Sequence, residues 1–273
     1  MSLKPVTVRL LAATALLAAG LPTAHATATA TASSTPITWT LTDLDLTDGI
    51  TPSFLTVTMG SYSQSYASAA ASVNGVSQSL PGNYVATTAS STSAYGSASA
   101  GTLSTGAQAT AQIKGSVVAG TQISSTAQAS PFFVNFTLSP HTLIILSMQA
   151  NLSSATTVGY NGVNQESSQA YSSIYASTTD NATYQSTRSV NASYLYISPG
   201  VYTGQTATNN GTVQLSFANT SNVPLTGYVQ SYSYAYASSS IAAAVPENGA
   251  LPLMGAGLCA LALLVRRRRA TRR

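Results

Sequence analysis

Val134-Asn135-Phe136-Thr137-Leu138-Ser139-Pro140-His141-Thr142-Leu143-Ile144-Ile145-Leu146-Ser147-Met148-Gln149-Ala150-Asn151-Leu152 is the stretch that decides the fold. Val134, Phe136 and Leu138 alternate with Asn135, Thr137 and Ser139. Past the Ser139-Pro140 break, Ile144, Leu146, Met148, Ala150 and Leu152 form one long apolar face. Period-two patterning of this kind sets apolar side chains on one side of a strand. It fits an antiparallel sheet packed on one side and open to water on the other.

The same pattern recurs along the chain. Trp39 and Leu41 alternate with Thr38, Thr40 and Thr42. Leu55, Val57 and Met59 alternate with Thr56 and Thr58, and Val213, Leu215 and Phe217 with Gln214 and Ser216. Tyr228, Tyr232, Tyr234 and Tyr236 share one parity. Turn chemistry falls between the runs: Asp48-Gly49, Pro81-Gly82, Asn161-Gly162, Pro199-Gly200 and Asn209-Asn210-Gly211. Many strands, frequent turns and no convincing amphipathic helix predict an all-β, antiparallel, jelly-roll-like β-sandwich.

Residues 60–130 are rich in Ser, Ala, Thr, Gly and Gln, with Tyr62, Tyr66, Tyr84 and Tyr95 scattered through them. Alanine propensity would allow a helix over 66–73. Neighbouring serines, threonines and glycines favour extended strands with small side chains. Disorder is the alternative, since low-charge polar tracts bury little apolar surface.

The ends have a different composition. Lys4 and Arg9 precede an apolar run over 10–21, and Thr23-Ala24-His25-Ala26 offers small residues to a signal peptidase. Residues 1–26 are therefore expected to be a signal helix, cut after Ala26. At the other end, Val245-Pro246-Glu247-Asn248-Gly249 leads into an apolar run over 251–265. Arg266, Arg267, Arg268 and Arg269 follow. As a helix that run spans about 22 Å, short of the ~30 Å hydrocarbon core. Ala250 and snorkelling arginine stems narrow the gap, and the arginines hold their end in the cytoplasm.

This three-part tail, residues 245–273, resembles a PEP-CTERM sorting domain of exported proteins of Gram-negative bacteria. Val245, Pro246, Glu247, the apolar helix and the arginine cluster match; Asn248 stands where the family has a second proline. The resemblance implies recognition by an exosortase, which removes the tail. It also implies an inner-membrane precursor, a cell-surface or extracellular product, and association with exopolysaccharide and biofilm. Two softer likenesses lie in the body. Residues 42–52 resemble a Leu-Asp-Leu…Asp-Gly-Ile-x-Pro strand and turn of one group of such proteins, and residues 136–142 resemble a strand and turn beginning its central half. They imply β-rich structure and no activity.

With both ends set aside, residues 27–244 are expected to form one exported β-sandwich domain. The whole chain carries +4. The body keeps only Lys114 and Arg188 against Asp43, Asp45, Asp48, Glu166 and Asp180, a net charge near −3. Two cations make no basic face, so nucleic acid is excluded as a partner. The lone cysteine, Cys259, lies in the tail, so no disulfide can form within the body.

Candidate chemistry is sparse. His141 is the body's only histidine. A Ser-His-Asp triad can be drawn through it only because serine is abundant, and a turn residue is the plainer reading. Zinc sites of several Cys or His ligands cannot be assembled from it. Asp43, Asp45 and Asp48 are weak calcium candidates, because calcium takes several oxygens. Their spacing, with Leu44 and Leu46 between, also fits a solvated strand end and turn. No cofactor is expected. Tyr232, Tyr234 and Tyr236 either fill a sheet face or form an aromatic platform for sugars or proteins. The sequence thus predicts a non-enzymatic surface or matrix protein, with a carbohydrate-binding module as the alternative and an envelope hydrolase as a distant third.

Overall fold

A computed structural model describes residues 27–57, 66–73, 76–80, 88–103, 106–114, 121–157, 164–193, 195–198 and 201–241. In chain order the strands are β1 (Ala28–Ser34), β2 (Thr38–Asp43), β3 (Phe54–Val57), β4 (Tyr66–Val73), β5 (Val76–Leu80) and β6 (Thr88–Thr92). They continue as β7 (Gly96–Leu103), β8 (Gly106–Ile113), β9 (Gln122–Leu138), β10 (Thr142–Thr156), β11 (Asn164–Thr178) and β12 (Thr183–Ala192). The last are β13 (Leu195–Ser198), β14 (Val201–Thr203), β15 (Thr206–Thr208), β16 (Gly211–Asn219) and β17 (Leu225–Ile241). No helix occurs among the described residues, so the all-β expectation holds there.

All strand pairs are antiparallel. One sheet of eight strands runs β15-β10-β1-β8-β7-β6, with β2 and β16 also on β10. A second, of seven, runs β12-β11-β17-β9-β4-β5, with β3 also on β9. β13 and β14 make a separate ribbon. The two large sheets face each other: Cα atoms of β1 come within 8 Å of those of β17.

The register defines two poles. At one, the β9–β10 turn lies beside the β2–β3 loop, because Thr142 pairs with both Asp43 and Asn219, and Phe54 and Leu225 pair with Leu138. At the other, Ala28 pairs with Thr156 and Ile241 with Asn164. β9, β10, β11 and β17 run from pole to pole.

The core is graded along that axis. Near the β9–β10 turn it is bulky: Phe136 lies 5.3 Å from Phe54 and 5.5 Å from Phe217 between ring centroids, beside buried Leu138, Ile144 and Leu146. Toward the other pole the inner faces are mostly Ala and Ser, with buried Ile113 and Ile123 near the end. Alanine is a poor strand former in isolation. Here Ala30, Ala109, Ala127 and Ala235 are buried because their small side chains let the sheets come together. Separation below the ~10 Å usual for stacked sheets lets hydroxyls bond across the gap. Ser233 donates to Ser34 at 3.0 Å, and Ser154 and Ser168 lie 2.6 Å apart. The small-residue reading of 60–130 is thus met by β4 to β8, and Tyr66–Val73 is a strand, not a helix.

Two parities differ from the sequence reading. On β3 the expected apolar face, Leu55 and Val57, is 62% and 56% exposed, whereas Phe54 is 8% exposed. Phe54 wins because its ring packs between Trp39, at 5.4 Å, and Phe136. On β17 the tyrosines occupy the outer face, while Val229, Ala235 and Ala237 supply the core.

Candidate functional site

The outer face of the seven-stranded sheet is set by register. Tyr171 on β11 pairs with Tyr234 on β17, so their rings stack with centroids 4.7 Å apart. Tyr232, paired with Ser173, meets the Tyr171 ring edge-on at 5.7 Å. The β17–β9 register shifts between Ser231 and Ser233, and the bulge takes up Pro131, which has no N–H for the ladder. Gln128 donates to the Tyr66 hydroxyl, linking β4 into the same surface. Gln185 Nε2 lies 3.5 Å from the Tyr232 hydroxyl. Closer to the β9–β10 turn, Tyr228 stands between Tyr175, at 5.7 Å, and Phe133, at 5.6 Å.

These rings are half-buried, with amide and hydroxyl groups between them. Burial, then the neighbouring phenols of Tyr232, Tyr234 and Tyr66, push the Tyr171 hydroxyl up to about 12. Burial raises Tyr234 as well, against a hydrogen bond with Thr126. Tyr228 is raised chiefly by its hydrogen bond to Tyr175, then by burial. All three phenols are neutral at physiological pH. Among the described residues, no charged side chain occupies an outward position on β4, β9, β11, β12 or β17. The surface offers flat π-faces, carboxamides and hydroxyls, which suit apolar sugar faces and their hydroxyl rims.

A second constellation lies at the pole of the β9–β10 turn. Asp45, Asp48 and His141 each place a potential ligand atom within 4.8 Å of the others. Asp43 does not join them: an oxygen of its carboxylate accepts the Asp45 N–H at 3.0 Å. Asp45 Oδ1 accepts the Thr47 N–H at 3.0 Å and its hydroxyl at 2.6 Å. The Thr47 hydroxyl, then its amide, hold the Asp45 carboxyl below the usual carboxylate range. Asp48 Oδ1 accepts the Ile50 N–H at 2.7 Å, whereas the buried Asp48 Oδ2 atom has no hydrogen-bond partner among the described residues.

His141 adopts a left-handed backbone, φ 48°, in the β9–β10 turn. Its Nε2 lies 2.6 Å from Asn222 Oδ1, and its carbonyl accepts the Leu44 N–H at 2.7 Å. Among the described residues, no serine is one of its hydrogen-bond partners. Ser139 is engaged instead with Thr142, at 2.7 Å, and with the Ser53 N–H, at 2.7 Å. The sequence reading of His141 as a turn residue is therefore correct, but it missed the two aspartates beside it. Nothing in the spacing of residues far apart in the chain signals that meeting; it follows from Leu143 pairing with Thr42.

Ala24, Ala26, Val245, Pro246, Glu247, Arg266, Arg267, Arg268 and Arg269 lie outside the described residues. In comparisons with known proteins, no protein-family model, curated protein or solved structure matches the chain.

Proposed function

We propose that the chain is an exported, non-enzymatic, jelly-roll-like β-sandwich protein of the cell surface or extracellular matrix that binds exopolysaccharide. The observation that carries this reading is the uncharged outer face on which Tyr66, Tyr171, Tyr232 and Tyr234 lie among Gln and Ser/Thr side chains. A neutral face of rings and hydroxyls favours a neutral glycan over an anionic one. Export and release rest on the terminal segments. The signal segment directs translocation. The tail then holds the precursor in the inner membrane until an exosortase cuts near Pro246-Glu247. The engagement of His141 Nε2 with Asn222 supports a binding role over hydrolysis.

The test is a panel of neutral and anionic polysaccharides, run at low and high salt. Neutral glycans are expected to bind with little salt dependence, because no ion pair contributes. Tyr171→Ala and Tyr234→Ala should each weaken binding roughly tenfold, the equivalent of about 1.4 kcal/mol for one lost ring contact. Absence of binding across the panel, or binding indifferent to both substitutions, defeats the reading. Mass spectrometry of the mature protein tests release separately: an intact arginine-bearing C-terminus contradicts it.

A further inference from the structure

We infer that Asp45, Asp48 and His141 form a binding site for a divalent transition cation, with zinc as the test ion. Three facts carry the inference. The potential ligand atoms converge to within 4.8 Å of one another from two separate loops. A cation bonded at about 2.1 Å to each would draw them together by roughly 1 Å. The buried Asp48 Oδ2 atom has no hydrogen-bond partner among the described residues. A buried bare carboxylate oxygen is costly, and a coordinated cation is one of the few groups that satisfies it.

The third fact is the setting of the imidazole. Nε2 faces the carbonyl oxygen of Asn222 at 2.6 Å, so Nε2 carries the proton and donates it. In the neutral ring that leaves Nδ1 as the unprotonated nitrogen, the one able to coordinate a cation. An outer partner of this kind fixes ring and tautomer at metal-bound histidines. The frame is rigid as well. Asp45 and Asp48 each hold one oxygen against backbone N–H groups, and Leu44 N–H ties their loop to the His141 carbonyl.

The donor set selects the ion. Calcium and magnesium prefer oxygens alone, so a site with one imidazole nitrogen and two carboxylates discriminates against them. It suits zinc or its neighbours, with remaining positions taken by water. The aspartates that the sequence offered to calcium are thus re-sorted: Asp43 drops out, and a nitrogen ligand enters.

The test uses the full-length protein in detergent, stripped with chelator and titrated with zinc and with cobalt(II). Calorimetry gives stoichiometry, and cobalt absorption reports the ligand field. One equivalent should be lost in Asp48→Asn and in His141→Ala, whatever His25 or Cys259 contribute. Asn222→Ala, which removes no ligand, should weaken zinc binding by about 10-fold or more. It keeps the test decisive where circular dichroism shows a ligand variant to be misfolded. Zinc stoichiometry and affinity unchanged in the folded variants overturn the assignment. Tight calcium binding that survives His141→Ala overturns it equally.

Discussion

Ser233 on β17 donates its hydroxyl to Ser34 on β1 across the interior, 3.0 Å away, while Ser172 on β11 lies 2.9 Å from the same oxygen. A serine has one proton to give, so Ser172 must be the donor to Ser233. All three residues are buried, and the chain of hydroxyls stitches one sheet to the other where side chains are smallest.

Ser233→Val should destabilise the protein by about 1–3 kcal/mol. It leaves the Ser172 hydroxyl without its acceptor and adds bulk where the sheets are close. Urea unfolding reads the loss as a lowered midpoint. Ser233→Ala, which adds no bulk, should cost less; equal midpoints for the two variants would show that packing is not tight there.

Gly227 sits where β17 crosses Phe136. A Cβ at that position would lie 2.2 Å from the Ser177 carbonyl oxygen and 2.9 Å from Phe136 Cζ. Ser177 belongs to the neighbouring strand and cannot retreat without breaking its pairing with Tyr228. Gly227→Ala is expected to cost at least about 1–3 kcal/mol and to disturb the Phe54–Phe136–Phe217 ring cluster. A thermal scan measures the first effect and near-ultraviolet circular dichroism the second.

The raised Tyr171 phenol predicts an alkaline transition. Its folded value is about 12 against an unfolded value near 10, so the folded form holds a proton that the unfolded chain has released. That contribution to stability is complete below the unfolded value and is lost as pH rises through the folded one. Stability should therefore fall between about pH 10 and pH 12. Phenolate absorbance should show a late-titrating tyrosine that disappears in Tyr171→Phe. Full ionisation at the ordinary tyrosine value, with the fold intact, would contradict the stacking with Tyr234.

The strand pattern was legible wherever one residue type dominates a face. Ile144, Leu146 and Met148 are buried as their alternation requires, and the breaks at Asp48-Gly49 and Ser139-Pro140 fall between strands. Leu55 and Val57 misled because alternation shows that a strand has two faces, not which one meets the core. A single aromatic, Phe54, outweighed two aliphatics. Tyr232 and Tyr234 were visible as one stripe, but their stacking on Tyr171 depends on a strand register that local sequence does not encode. The meeting of His141 with Asp45 and Asp48 was hidden for the same reason: two loops become neighbours only after β2 pairs with β10.

The placement of both described ends at one pole has an architectural consequence. Thr27 accepts a hydrogen bond from Thr157, and β17 runs out beside the start of β11, so the body is entered and left on the same side. A body tethered by either end stands with its long axis away from the anchor. In a body so tethered, the Asp45–Asp48–His141 loops would form the outermost tip and the tyrosine face the flank.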